Sequence, residues 1–298
     1  MIAELWKLLK QFPELLFSFL KFFLGCKRRP EKCICPPALK KPDPFIYDQY
    51  YLANLGLPIT WDNPDIFIYQ GSVLVDPHDL VANTPYTVAA RIWNNSTDVP
   101  VANLKVTFSY LSFGAGTQSN PIGSATTDLN AKGLPGCPAF AYITWTTPPA
   151  VGHYCLQVLL EPPDDSNWQN NLGQRNTDVA HAHSPATFSF AVGNHGVSRT
   201  RRVRFSVDTY TIPPLPSCND VTSIPRSKRS IPRIAPPVPS GWSVAFAPNE
   251  LLLAPGEERS VIATITPPAG FAGQVSFNVT SRDEYGPIGG VTLIVEAP

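Results

Sequence analysis

The chain is 298 residues long, 43% hydrophobic and only 15% charged, with 33 prolines, 19 glycines and a formal net charge of zero. So much proline excludes a mainly helical protein and suits short strands joined by turns. The zero total hides an asymmetry. Residues 1–41 hold nine Lys or Arg against Glu4, Glu14 and Glu31, a net of +6 that leaves −6 on the rest. The body is thus not a nucleic-acid binder by charge, and the front end is the part suited to a membrane surface.

Residues 1–25 read as an amphipathic helix. Glu4, Lys7, Gln11, Glu14, Ser18 and Lys21 step by three and four. At 100° per residue they fall, with Lys10, inside one arc of about 120°. The rest of the surface is apolar, including Leu5, Trp6, Leu9, Phe12, Leu16, Phe19, Leu20 and Phe23. A bilayer-spanning helix has no reason to keep a charged stripe through its middle, where each charge costs a few kcal/mol. A helix lying in the interface does, because the stripe faces headgroups and the wide face enters the acyl region. Pro13 kinks it or divides it in two. The same stripe also suits a helix that docks into a partner protein or an oligomer, and both readings stay open.

Residues 26–64 form a basic connector containing cysteine and proline. Lys27, Arg28 and Arg29 follow the helix at once and join Lys7, Lys10 and Lys21 as candidate headgroup contacts. Cys26, beside the helix, is a candidate for acylation. Cys26, Cys33 and Cys35 lack zinc-site spacing and have no neighbouring His. Further on, Phe45, Tyr47, Tyr50, Tyr51 and Trp61 suggest that this connector packs onto the first domain.

From Asp65 the pattern alternates with period two, the mark of half-buried strands. Ile66 and Ile68 begin it. Tyr86, Val88, Ala90 and Ile92 face one side, with Thr87, Ala89, Arg91 and Trp93 on the other. Leu104, Val106, Phe108 and Tyr110 follow, then Phe140 and Tyr142, then Tyr154, Leu156, Val158 and Leu160. The runs DPHD, NNSTD, GAGTQSNPIG, TTPPAVG and PPDDSN read as turns between them. Pairing across a hairpin at Pro148–Gly152 sets Cys155 opposite about Thr144, so it does not bond to Cys137. A second alternating series runs through Phe188, Phe190 and Val192, then Val203, Phe205 and Val207, then Trp242, Val244 and Phe246. It continues with Val261, Ala263 and Ile265, then Val275, Phe277 and Val279, and ends at Val291, Leu293 and Val295. The expectation is all-β: two Ig-like antiparallel β-sandwiches, 65–184 and 185–298, preceded by an N-terminal amphipathic helix. The second carries a basic, proline-rich loop at about 211–240.

The series TVAARIWNNSTDVPVANLKVTFSY, then ITWTTPPAVGHYCLQVLL and DDSNWQNNLGQ, resembles the bacterial cell-adhesion-related (CARDB-type) Ig-like domains. The segment PSGWSVAFAPNELLLAPGEERSVIATITPPAGFAGQVSF, with GGVTLIVEA, is similar to the Ig-like domain appended to glycosidases and bacterial surface proteins. These motifs are structural. The resemblance implies a bacterial, non-enzymatic spacer, adhesion or assembly module, with no cofactor.

The sequence carries few signs of catalytic chemistry. There is no nucleophile elbow, HExxH, P-loop or dinucleotide fingerprint. His181 and His183 have no evident third metal ligand, and Glu161, Asp164, Asp165, Asn167 and Asn171 match no calcium spacing, so no metal or catalytic residue is assigned. Arg202 and Arg204 on one strand, with Arg229 and Arg233 in the loop, form a candidate basic patch. The expected function is a non-enzymatic, membrane-associated binding or spacer protein. A subunit of a protein assembly is the alternative, and a carbohydrate-binding module, with Trp93 and Trp145 as platform candidates, is the third reading. Basic residues after the helix argue for the cytoplasmic side of the membrane and the resemblance argues for the outside.

Overall fold

The computed structural model describes residues 41–149, 153–181, 185–212 and 234–297. The candidate helix and the basic neck lie outside this range. In chain order the elements are β1 (Pro44–Phe45), the short helix α1 (Gln49–Asn54), β2 (Ile66–Gln70), β3 (Val73–Leu74), β4 (Pro85–Asn94), β5 (Val101–Ser112), β6 (Gly114–Ala115), β7 (Ser119–Leu129), β8 (Ala139–Thr146), β9 (Tyr154–Glu161), β10 (Leu172–Arg175), β11 (Thr177–His181), β12 (Ala186–Gly193), β13 (Arg201–Asp208), β14 (Ser243–Ala247), β15 (Glu250–Leu253), β16 (Glu258–Thr266), β17 (Gly273–Asp283) and β18 (Gly286–Ala297).

These strands form four sheets among the described residues. β4 is the middle of the first, with β2 and then β3 on one side, β8 on the other, and β1 at its C-terminal end. The second runs β10-β9-β5-β7, the third β11-β18-β17-β13-β15 and the fourth β14-β16-β12-β6. Most neighbours are antiparallel. The fold is all-β and β-sandwich-like, since each pair of sheets closes on one apolar cluster. Ile66, Ile68, Val88, Ala90 and Ile92 of the first sheet meet Leu104, Val106, Phe108, Leu156 and Val158 of the second. Phe188, Phe190, Val261 and Ile265 of the fourth meet Val203, Leu253, Phe277, Val291 and Leu293 of the third. The period-two reading thus finds the inward face of most strands.

Three local expectations fail. The run GAGTQSNPIG, expected as a turn, supplies β6 and the start of β7. Gly114 makes this possible: at φ +152° it lies so close to the Ala191 backbone that any Cβ would collide with it. The expected hairpin at Pro148–Gly152 does not form, because β8 pairs with β4 while β9 pairs with β5. TTPPAVG therefore joins two different sheets, and Cys137 and Cys155 are free thiols. Phe140 and Tyr142, expected to continue the inward series, point outward at 38% and 57% exposure. The inward positions of β8 are Ala139, Ala141, Ile143 and Trp145.

The sheet pairs are interlocked. β6, from the first series of strands, adds in parallel to β12. β11, on the near side of the expected boundary at 184/185, adds in parallel to β18. The connector also reaches further than the first domain. Trp61 is fully buried, and its backbone N–H donates to the Thr292 hydroxyl at 2.9 Å. The Tyr50 hydroxyl lies 3.3 Å from the Ile288 carbonyl.

Candidate aromatic binding face

Strand alternation sets what the first sheet shows to solvent. With Ile66 and Ile68 turned to the core, Phe67 and Tyr69 must point outward. The same rule turns Thr87, Ala89, Arg91 and Trp93 of β4 outward, with Phe140, Tyr142 and Thr144 of β8. The register brings these positions into rows. Tyr69, Thr87 and Thr144 lie abreast, and Phe67, Ala89 and Tyr142 form the next row.

The rings close over the small residue in the middle. Ala89 has no exposed surface although it points away from the core. Phe67 and Tyr69 stack with centroids 6.4 Å apart, and Phe140 and Tyr142 stack at 6.0 Å. Phe67 lies 6.4 Å from Phe140 across the middle strand. Contacts of this kind contribute about 0.5–1.5 kcal/mol beyond simple burial and hold the rings in one arrangement.

Among the described residues Arg91 is the one cation within this face, and its charge is already matched. Its Nε donates to Asp65 Oδ1 at 2.8 Å and its Nη2 to the Pro64 carbonyl at 2.9 Å. Its guanidinium carbon sits 5.4 Å from the Phe67 ring and 5.3 Å from Trp93. Asp65 also accepts from the Trp93 indole at 3.0 Å and from the Tyr47 backbone at 3.0 Å.

Trp93 links this face to a cleft of about 570 Å³, which Phe45, Tyr47, Asp48, Tyr51 and Asn170 help to line. Asp48 caps α1 by accepting from the Tyr51 N–H and also accepts from the Leu172 N–H. Burial outweighs these bonds and pushes its carboxyl up to about 6. Asn170 donates to Asp43, while its own Oδ1 is buried without a partner among the described residues.

The other sequence-derived candidates fare differently. The helix and neck residues at 5–29, including Cys26, lie outside the described residues, as do Arg229 and Arg233. Arg202 and Arg204 are together on an exposed strand face, but both bond to Glu250, at 2.6 and 2.7 Å. Those two arginines hold the Glu250 carboxyl below its usual range. The acidic loop spends its oxygens locally. Asp164 takes Lys41 at 2.7 Å, Asp165 accepts from Asn167 and Asn171, and Glu161 bonds Thr107 and Lys105. Among the described residues no three His, Cys, Asp or Glu are grouped to hold a metal ion, and no helix is long and apolar enough to cross a membrane. Of the two platform candidates, Trp93 edges the aromatic face, whereas Trp145 is buried against Tyr110 and Tyr154.

No protein-family model and no curated protein matches the chain. Among solved structures it is similar to the transglutaminase of red sea bream, at 11% identity over 83% of this chain and 33% of that one, with a TM-score of 0.22. It is also similar to the alpha-2-macroglobulin of Escherichia coli activated by porcine elastase, at 9% identity over 78% of this chain and 22% of that one, with a TM-score of 0.24. The chain thus spans a third or less of either protein's length.

Proposed function

We propose that the protein is a non-enzymatic binding protein. Two Ig-like sandwiches present the Phe67–Tyr69–Phe140–Tyr142 face to a partner, and residues 1–25 tether the body to a membrane. One observation carries the reading: four aromatic rings lie side by side on an open sheet, at 38% exposure for Phe140 and 57% for Tyr142, where burial would be favourable. The interlock of the sheet pairs supports a stiff carrier for that face. The striped pattern of residues 1–25 and the basic neck support the tether, and the resemblance to bacterial adhesion-type domains supports a binding role over an enzymatic one.

Liposome flotation of the full-length protein separates tether from binding face. The wild type floats, more so with anionic lipid. Leu9→Glu with Leu16→Glu abolishes flotation, and Phe140→Ser with Tyr142→Ser leaves it unchanged. Flotation that survives the helix changes but is lost with the face changes contradicts the assignment.

A further inference from the structure

Resting on the binding-face reading, we propose that the aromatic face takes a neutral glycan, a chain of uncharged pyranose rings. Three properties of the face select this chemistry.

The first is its shape. Phe67 and Tyr142 flank Ala89 in one row, two strand spacings or about 10 Å apart, and the ring pairs on β2 and β8 extend about 7 Å along the strands. Ala89 lies wholly beneath the rings, so no side chain stands between Phe67 and Tyr142, while Arg91 bounds the strip in the row of Phe140. Such a strip has the footprint of one or two sugar rings, whose C–H faces pack against aromatic faces.

The second is charge. Among the described residues Arg91 and Asp65 are the ion pair at this face, and they satisfy each other at 2.8 Å. A nucleic acid or acidic peptide needs an unspent cation, and a basic peptide an unspent carboxylate. What lies next to the rings instead is neutral hydrogen-bonding chemistry: Thr87 and Thr144 in the row of Tyr69. Such hydroxyls suit sugar hydroxyls.

The third is area. With Phe140 and Tyr142 exposed and Phe67 and Tyr69 half-buried, the four rings offer on the order of 300 Å², well below the ~800 Å² that each side of a stable protein–protein interface contributes.

The test is native gel electrophoresis of the full-length protein through gels containing soluble hydroxyethylcellulose, galactomannan or arabinoxylan, with heparin as the charged control. The wild type is retarded by at least one neutral polysaccharide and not preferentially by heparin. Phe140→Ala with Tyr142→Ala weakens that retardation at least tenfold. Trp168→Ala, at an exposed ring elsewhere, leaves it unchanged. Tyr142→Trp preserves retardation, and it serves as the readout should the double variant misfold. Equal retardation of wild type and double variant overturns the site, and retardation by heparin alone overturns the neutral chemistry. Absence of retardation in every neutral gel overturns the glycan assignment. Sedimentation equilibrium then tells whether the binding face itself survives: a wild-type dimer that Tyr142→Ser converts to monomer makes a second copy the occupant.

Discussion

The indole nitrogen of Trp61 donates to the Thr280 hydroxyl at 3.2 Å, joining the connector to the middle of the third sheet, where both residues are buried. The ring fits only because position 290 is glycine: a Cβ there would land on the indole and on the Val279 carbonyl. Trp61→Phe leaves a buried hydroxyl short of a donor and should cost about 1–3 kcal/mol. Gly290→Ala meets backbone on one side and a fully buried ring on the other and should cost more. Denaturant midpoints check this; a neutral Gly290→Ala contradicts the packing.

Asn176 ties the same seam from the other side. Its Nδ2 donates to the carbonyls of Gly114 and Gly290, and its backbone bonds Trp61 and Thr292. Asn176→Asp turns a donor into a buried carboxylate facing two carbonyls. It should destabilise by about 3–5 kcal/mol when ionised. The deficit should shrink as pH is lowered from 7 to 4, because protonation removes the charge. Urea unfolding of wild type and variant at both pH values measures the difference.

Asp48 makes stability itself depend on pH. Burial raises its folded value to about 6, above its ordinary value of 3.8. Between those values the native state keeps a proton that the unfolded chain has released. The group's contribution is therefore full below pH 4 and lost as pH rises through 6. The loss comes to about 3 kcal/mol at about 1.4 kcal/mol per unit. Asp48→Ser keeps a helix cap and does not titrate. The gap between wild type and this variant should narrow or reverse between pH 4.5 and 7. Parallel curves contradict the assignment.

The aromatic face should be separable from the core. Tyr142→Ser removes a ring that is 57% exposed and should change stability by less than about 1 kcal/mol. Phe277→Ala empties a fully buried site and should cost about 3–5 kcal/mol. Thermal melts of the two variants give the contrast, and a large loss from Tyr142→Ser places that ring in the core.

Much of this was legible in the sequence, because alternation reports strand faces directly. Ile66, Val88, Val106, Phe188, Phe277 and Leu293 are all inward, as their spacing predicts. The strand β8 defeated it because its outward phase begins with two rings, Phe140 and Tyr142, opposite alanines. The larger rings drew the inward assignment, while the core took Ala139 and Ala141, small residues that fit beneath a crowded sheet. Trp145, in phase with those alanines, was the available signal. The interlock was not legible. β6, β11 and Trp61 act through partners far along the chain, and such pairings leave no periodicity behind. The paired charges were equally hidden: Glu250 lies 46 residues from Arg204, so the arginines alone read as a free basic patch.

A binding role requires that the Phe67–Tyr69–Phe140–Tyr142 face stand open in the full-length protein. The direct measurement is fluorine NMR of 3-fluorotyrosine-labelled protein with a soluble nitroxide, each resonance assigned by Tyr→Phe substitution. Tyr142 should broaden nearly as strongly as Tyr285, which is 73% exposed, while Tyr86, at 3%, stays sharp. A Tyr142 resonance as protected as that of Tyr86 would mean that the face is covered, and would contradict the account.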